Sequence, residues 1–150
     1  MPSSRSANPS RLRLIADTNI IVSALLTSGQ IRTLLFSPRL RLFSPSYLKE
    51  ELLEHRAEFC KKMGIKAGAY SKAVAAIISQ IEIIPLEKYL PFEVEARSAS
   101  PDADDWPFFA AVLFLGCPIW SNDKRMKNQN KAQVIDTAQL LEILKKAEVK

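Results

Sequence analysis

The sequence is poor in the residues that staple or metallate small proteins. Among 150 residues there are two cysteines, Cys60 and Cys117. They lie far apart, lack CxxC spacing and sit in apolar company, which argues against a zinc site or a disulfide framework and for buried thiols. There is one histidine, His55, set among charged helix residues. No Ser or Cys nucleophile motif accompanies it, so it carries no catalytic assignment. No run approaches 18 apolar residues, so no membrane span is expected. The excess of positive charge is moderate, +5 at pH 7 with a pI near 9.3. That permits binding to a polyanion without requiring it.

What is present is a hydrophobic fraction of 47 %, enough for one domain with a core of its own. Residues 1–10 are rich in Ser and Pro, carry Arg5 and lack an apolar stretch. They read as a disordered leader, not a signal peptide, and a cytoplasmic protein follows by elimination. Residues 11–150 read as a single domain.

Short apolar segments alternate with helical ones. Strands are expected at 11–16, 40–43, 81–86, 117–120 and 133–135. Helices are expected at 19–27, 31–36, from Ser44-Pro45 to about Phe59, at 70–80, from Asp104-Asp105 to Leu115, and from Asp136-Thr137 to about Ala147. Ser44 is read as an N-cap with Pro45 at the first helical position. Residues 87–101, with prolines at 91 and 101, read as an irregular connection. Strands alternating with helices imply a parallel sheet covered on both faces.

Three carboxylates bear on this sheet. Asp17 follows the first strand, Asp123 follows the 117–120 strand, and Asp105 opens the helix leading into that strand. In open α/β sheets, ligands bind outside the carboxyl ends of the strands, so Asp17 and Asp123 project into one crevice. Glu50, on the helix after the second strand, reaches the same edge. Two carboxylates about 4 Å apart repel by roughly 4 kcal/mol at an effective dielectric near 20, so such a cluster needs a cation or retained protons. All-oxygen ligation suits Mg²⁺ or Mn²⁺. An ion of that kind acidifies water and stabilises charge on a phosphoryl oxygen. Each acid also has a plainer reading: Asp17 as an N-cap, Glu50 in a solvated acidic run, Asp104 and Asp105 as helix starters, Asp123 as a turn residue.

Read in order, these segments resemble the PIN-domain family, which includes the toxin nucleases of toxin–antitoxin pairs. Asp17-Thr18-Asn19-Ile20 resembles its opening motif. Ser44 to Leu52 is similar to the second, where a helical glutamate reaches the metal. Asp102-Ala103-Asp104-Asp105-Trp106, with Ala110 and Ala111 beyond, resembles the third. Ile119-Trp120-Ser121-Asn122-Asp123-Lys124 resembles the fourth, a strand ending in Ser/Thr-x-Asp. The likeness spans about residues 11–145.

The resemblance implies a three-layer α/β/α sandwich around a mainly parallel sheet of about five short strands. It also implies a ribonuclease with Mg²⁺ or Mn²⁺ as cofactor and RNA as substrate. Asp17, Glu50, Asp105 and Asp123 would be the metal-binding acids, with Asn19 and Ser121 orienting them. Glu51 adjoins Glu50 and Asp104 adjoins Asp105, so a register one residue away stays open in each case. Where some relatives carry a further acid, this chain has Lys124-Arg125-Met126-Lys127, which implies one well-formed metal site and a weak second one. Lys124, Arg125 and Lys127 are then candidates for holding substrate phosphates. An antitoxin partner and a homodimer are further implications. The alternative is a catalytically weak PIN-like module that binds RNA or a partner.

Overall fold

A computed structural model of the chain describes residues 11–148; the expected leader lies outside them. Five strands form one sheet: β1 (Leu12–Ala16), β2 (Leu40–Pro45), β3 (Ile81–Ile84), β4 (Ile119–Trp120) and β5 (Val134–Ile135). Every pairing is parallel and the spatial order is β3-β2-β1-β4-β5. The chain therefore builds outward from β1 in one direction, then returns to its other side. That reversal, between β1 and β4, leaves a crevice beyond their carboxyl ends.

Side chains on a strand alternate between faces, and here both faces are buried. Leu14 and Ala16 of β1, Leu42 of β2 and Trp120 of β4 join one apolar cluster. Ile15, Phe43 and Ile119 join the other. On the first face pack α1 (Thr18–Leu26), α2 (Gln30–Leu35), α3 (Tyr47–Glu54), α4 (Arg56–Met63), α5 (Ala67–Ile78) and α9 (Thr137–Glu148). On the second pack α6 (Leu86–Tyr89), α7 (Glu93–Ala99) and α8 (Trp106–Leu115). The protein is the expected α/β/α sandwich. The apolar run of α8 is nearly all buried, Phe108 to Val112 in succession, as a central helix requires. Gly64 and Gly116 end α4 and α8 in the left-handed region, at φ 66° and 68°, where a side chain would be strained. Among the described residues no helix is long and apolar enough to cross a membrane.

Three local expectations are corrected. Ser44-Pro45 does not start a helix; it ends β2, pairing in register with Ile83 and Ile84. The Ser44 hydroxyl donates to the Ala16 carbonyl at 3.1 Å, so tertiary pairing outweighs its capping tendency. The following helix stops at Glu54 and resumes at Arg56, with His55 as the joint. Residues 87–101 are mostly helical: α6, a 3₁₀ turn at Leu90–Phe92 and α7. Pro91 fits that turn because its missing N–H lies at the start, and Pro101 lies just beyond α7. Tyr89 and Ala96 are buried against α8, which stabilises helices too short to persist alone.

Candidate metal centre

Asp17 is the first residue past β1 and is only 1 % exposed. It caps α1: Oδ1 accepts a hydrogen bond from the Ile20 N–H at 2.9 Å, satisfying one orphan donor of the first turn. The Ser121 hydroxyl lies close enough to favour its ionised form. Its second oxygen, Oδ2, is nonetheless buried without a well-formed hydrogen bond. Burial pushes the Asp17 carboxyl up to about 7. Ser121 and Ile20 oppose the shift, and the negative charges of Asp105 and Asp123 add to it.

Asp105 ends the 3₁₀ turn Ala103–Asp105 and precedes α8. It is half-buried on the cleft while Asp104 is exposed. Burial raises its pKa to about 6, reinforced by Asp102 and Asp123 and opposed by Arg125. Glu51 completes the near group. Its carboxylate accepts a hydrogen bond from the Thr18 hydroxyl. Burial raises its pKa, and Asp105 raises it further.

Asp17, Thr18, Asn19, Glu51, His55 and Asp105 line one cleft of about 330 Å³. Glu50 does not. It is exposed, and helix geometry explains why. Leu48 and Leu52 of α3 are buried, and at 3.6 residues per turn Glu50 lies about 180° from the midline between them. Glu51 lies about 80° from that midline, at the edge of the buried face. Because Ser44-Pro45 belongs to β2, α3 starts at Tyr47 and faces the cleft with the later glutamate.

Asp123 follows β4 and does not line this cleft; it lines a second pocket with Ser121, Asn122 and Lys124, although its charge is still felt at Asp17 and Asp105. Its backbone N–H donates to the Ser121 Oγ at 3.0 Å, so Ser121 stands between Asp17 and Asp123 and supports both. Asn19 is exposed on the rim and makes no hydrogen bond to an acid within the described residues. Arg125 grips Asp123, with Nη2 on Oδ2 at 2.9 Å and Nε on Oδ1 at 3.2 Å. That guanidinium holds the Asp123 carboxyl below the usual carboxylate range. Lys127 is committed elsewhere, donating to Asp136 at 2.8 Å and Gln139 at 3.1 Å. Lys124 is exposed and makes no ion pair among the described residues.

The donor set tests well against a hard divalent cation. It is all carboxylate oxygen, and it includes one buried oxygen with no good partner, an arrangement that a cation relieves. Among the described residues no group of three or more His, Cys, Asp or Glu side chains is arranged to hold a metal ion. The acids line a cleft instead. His55, turned to Glu58 at 3.4 Å, is a rim residue.

A parallel α/β/α sandwich with carboxylates at the switch point of its sheet defines the class: an open α/β protein with an acidic crevice. The comparisons resolve the family. A PIN-domain family model matches residues 15–145, and the chain belongs to the PIN-domain family, whose members are typically nucleases that act on nucleic acid and generally use divalent metal ions. Among curated proteins no sequence matches. Among solved structures, the fold is similar to the crystal structure of PAE2754 from Pyrobaculum aerophilum. That likeness has a TM-score of 0.62 at 13 % identity and covers 91 % of this chain and 93 % of the other.

Proposed function

We propose that this chain is a metal-dependent endoribonuclease that hydrolyses RNA phosphodiester bonds, with Mg²⁺ or Mn²⁺ held by Asp17, Glu51 and Asp105 and with Asp123 beside them. The observation that carries the reading is the buried Oδ2 of Asp17, which lacks a good partner at the head of a cleft shared with Glu51 and Asp105. When bound, the ion supplies an acidified water and charge stabilisation at a phosphoryl oxygen. The chain's own residues do the positioning. Ile20 and Ser121 orient Asp17, Thr18 orients Glu51, and Ser121 fixes the turn that carries Asp123. Such orienting partners typically change metal affinity or activity by about 10–100-fold. Exposed Lys124 offers positive charge to a phosphate next to the acids.

The reading extends to a cytoplasmic toxin of a toxin–antitoxin pair. Support for that part comes from the resemblance of the four motifs; a short antitoxin that blocks cleavage, or a homodimer in solution, would be its direct signature. The test of the core reading is cleavage of single-stranded RNA at trace enzyme levels. Activity requires Mg²⁺ or Mn²⁺, disappears with EDTA and is lost in Asp17→Asn. Binding of RNA with no metal-dependent turnover would instead favour a catalytically weak interaction module.

A further inference from the structure

Asp17 in the cleft and Asp123 beside it differ in how their charge is met. Asp17 has a buried oxygen with no good partner, whereas both oxygens of Asp123 are already bonded. Asp123 Oδ1 accepts from the Arg125 backbone N–H at 3.0 Å and from its Nε at 3.2 Å. Asp123 Oδ2 accepts from Arg125 Nη2 at 2.9 Å. Arg125 Nη1 lies 3.9 Å from Asp102 Oδ2, and the guanidinium also lowers the repulsion felt by Asp105. One cation therefore pairs with two acids on this side, Asp123 and Asp102, and reaches Asp105 only through space.

The local backbone delivers it there. Asp123 caps the 3₁₀ turn Lys124–Lys127. Met126, the residue after Arg125, is 2 % exposed in the second apolar cluster, which anchors the turn. With Met126 facing the core, Arg125 is aimed back over the cap residue. The fork of the guanidinium matches a carboxylate in a paired geometry that a lysine cannot reproduce. The Asp123 side chain is 13 % exposed, against 65 % for Arg125, so the pair is partly shielded from screening by water.

We propose that Arg125 is a built-in second cation beside the cleft: it is spent on Asp123, so the site takes one divalent ion, in the cleft lined by Asp17, Glu51 and Asp105. This rests on the metal-dependent reading above and adds to it a stoichiometry and a residue that sets it. Nuclease sites with two ions place them about 3.5–4 Å apart to share the attacking and leaving oxygens. Here the guanidinium meets the charge that a second ion would meet.

The test counts ions rather than turnover. Mn²⁺ is titrated into the full chain, with free Mn²⁺ followed by electron paramagnetic resonance and heat by calorimetry. Wild type binds one Mn²⁺ per chain. Arg125→Ala binds two, and the double variant Arg125→Ala/Asp123→Asn returns to one, which locates the added ion on Asp123. Arg125→Lys keeps the charge and stays at one. Thermal melting checks that each variant folds, and Arg125→Gln replaces the alanine variant if that one does not. Two ions in wild type, or one in both neutral variants, would overturn the assignment of Arg125 while leaving a metal-dependent nuclease intact. No bound ion in any of these chains would overturn both.

Discussion

The Glu51 carboxylate accepts a hydrogen bond from the hydroxyl of Thr18, 33 residues earlier in the chain. That contact ties α3 to the first turn of α1 and draws one of two adjacent glutamates into the acidic cleft. The neighbouring Glu50 is left in solvent. The pair Glu50/Glu51 therefore separates a side chain that faces the site from one that only shares its charge.

Glu51→Gln is expected to reduce RNA cleavage by about 100-fold and to weaken Mn²⁺ binding by at least about 10-fold, since the residues that only orient metal ligands already carry about 10–100-fold. Glu50→Gln is expected to stay within about twofold of wild type in both. Steady-state cleavage and Mn²⁺ calorimetry on the two variants check this, and equal losses would remove Glu51 from the site.

Stability should depend on pH through Asp17. Its folded pKa, about 7, lies above the ordinary aspartate value of 3.8. Folding therefore favours the protonated acid. That stabilisation is fully present below about pH 4 and is lost as pH rises through about 7, to an upper bound of about 4 kcal/mol. In EDTA, wild type is expected to melt at progressively lower temperature between pH 4 and pH 8 relative to Asp17→Asn. Differential scanning fluorimetry across that range reads the difference directly.

A divalent ion should reverse that penalty. Anything that binds the folded chain alone stabilises it, by about 2.7 kcal/mol at 100 times Kd. Addition of Mn²⁺ at pH 8 is expected to raise the melting temperature of wild type and leave Asp17→Asn unmoved. The wild-type gain should shrink below pH 6, because protons compete for Asp17 and Asp105, whose pKa values are about 7 and 6.

Ser121→Ala removes the hydroxyl that favours ionised Asp17 and accepts the Asp123 N–H. Cleavage is expected to fall about 10-fold, and the acidic limb of its pH profile should move to higher pH. A profile of cleavage rate between pH 5 and 9 checks both. Unchanged position of that limb would show that Ser121 acts only on the backbone of the turn.

Asn122 joins the site loop to the last helix. Its Oδ1 accepts from the Thr137 N–H at 2.8 Å and its Nδ2 donates to Thr137 Oγ1 at 2.9 Å. The same hydroxyl accepts from the indole N–H of Trp120 at 3.0 Å. Asn122→Ala is expected to cost about 1–2 kcal/mol, since it orphans a helix-start donor. Urea denaturation measures it.

Much of this protein was legible along the chain because the signals are local. Short apolar runs marked the strands, capping residues such as Asp136 marked helix starts, and Asp17, Asp105 and Asp123 stood at the junctions where a parallel sheet opens. Asp136 does cap the last helix, its Oδ1 accepting from the Gln139 N–H, and the structure adds the reciprocal bond from the Asp136 N–H to Gln139 Oε1, a capping box. The segment 87–101 was opaque because its helices are marginal by themselves and hold only against α8.

The order of elements, the two-faced burial of the sheet and the carboxylates at its carboxyl edge were determined by the sequence itself, through periodicity and spacing that act over a few residues. Tertiary structure alone decided which of two adjacent glutamates faces the cleft, that Ser44-Pro45 is strand, and that Arg125 is spent on Asp123. Those outcomes turn on partners far away in the chain, on Thr18 for Glu51 and on β3 for Pro45, or on the buried anchor of Met126 for Arg125. A one-residue change of helix start rotates a side chain by about 100°, and only packing against the rest of the molecule sets that start.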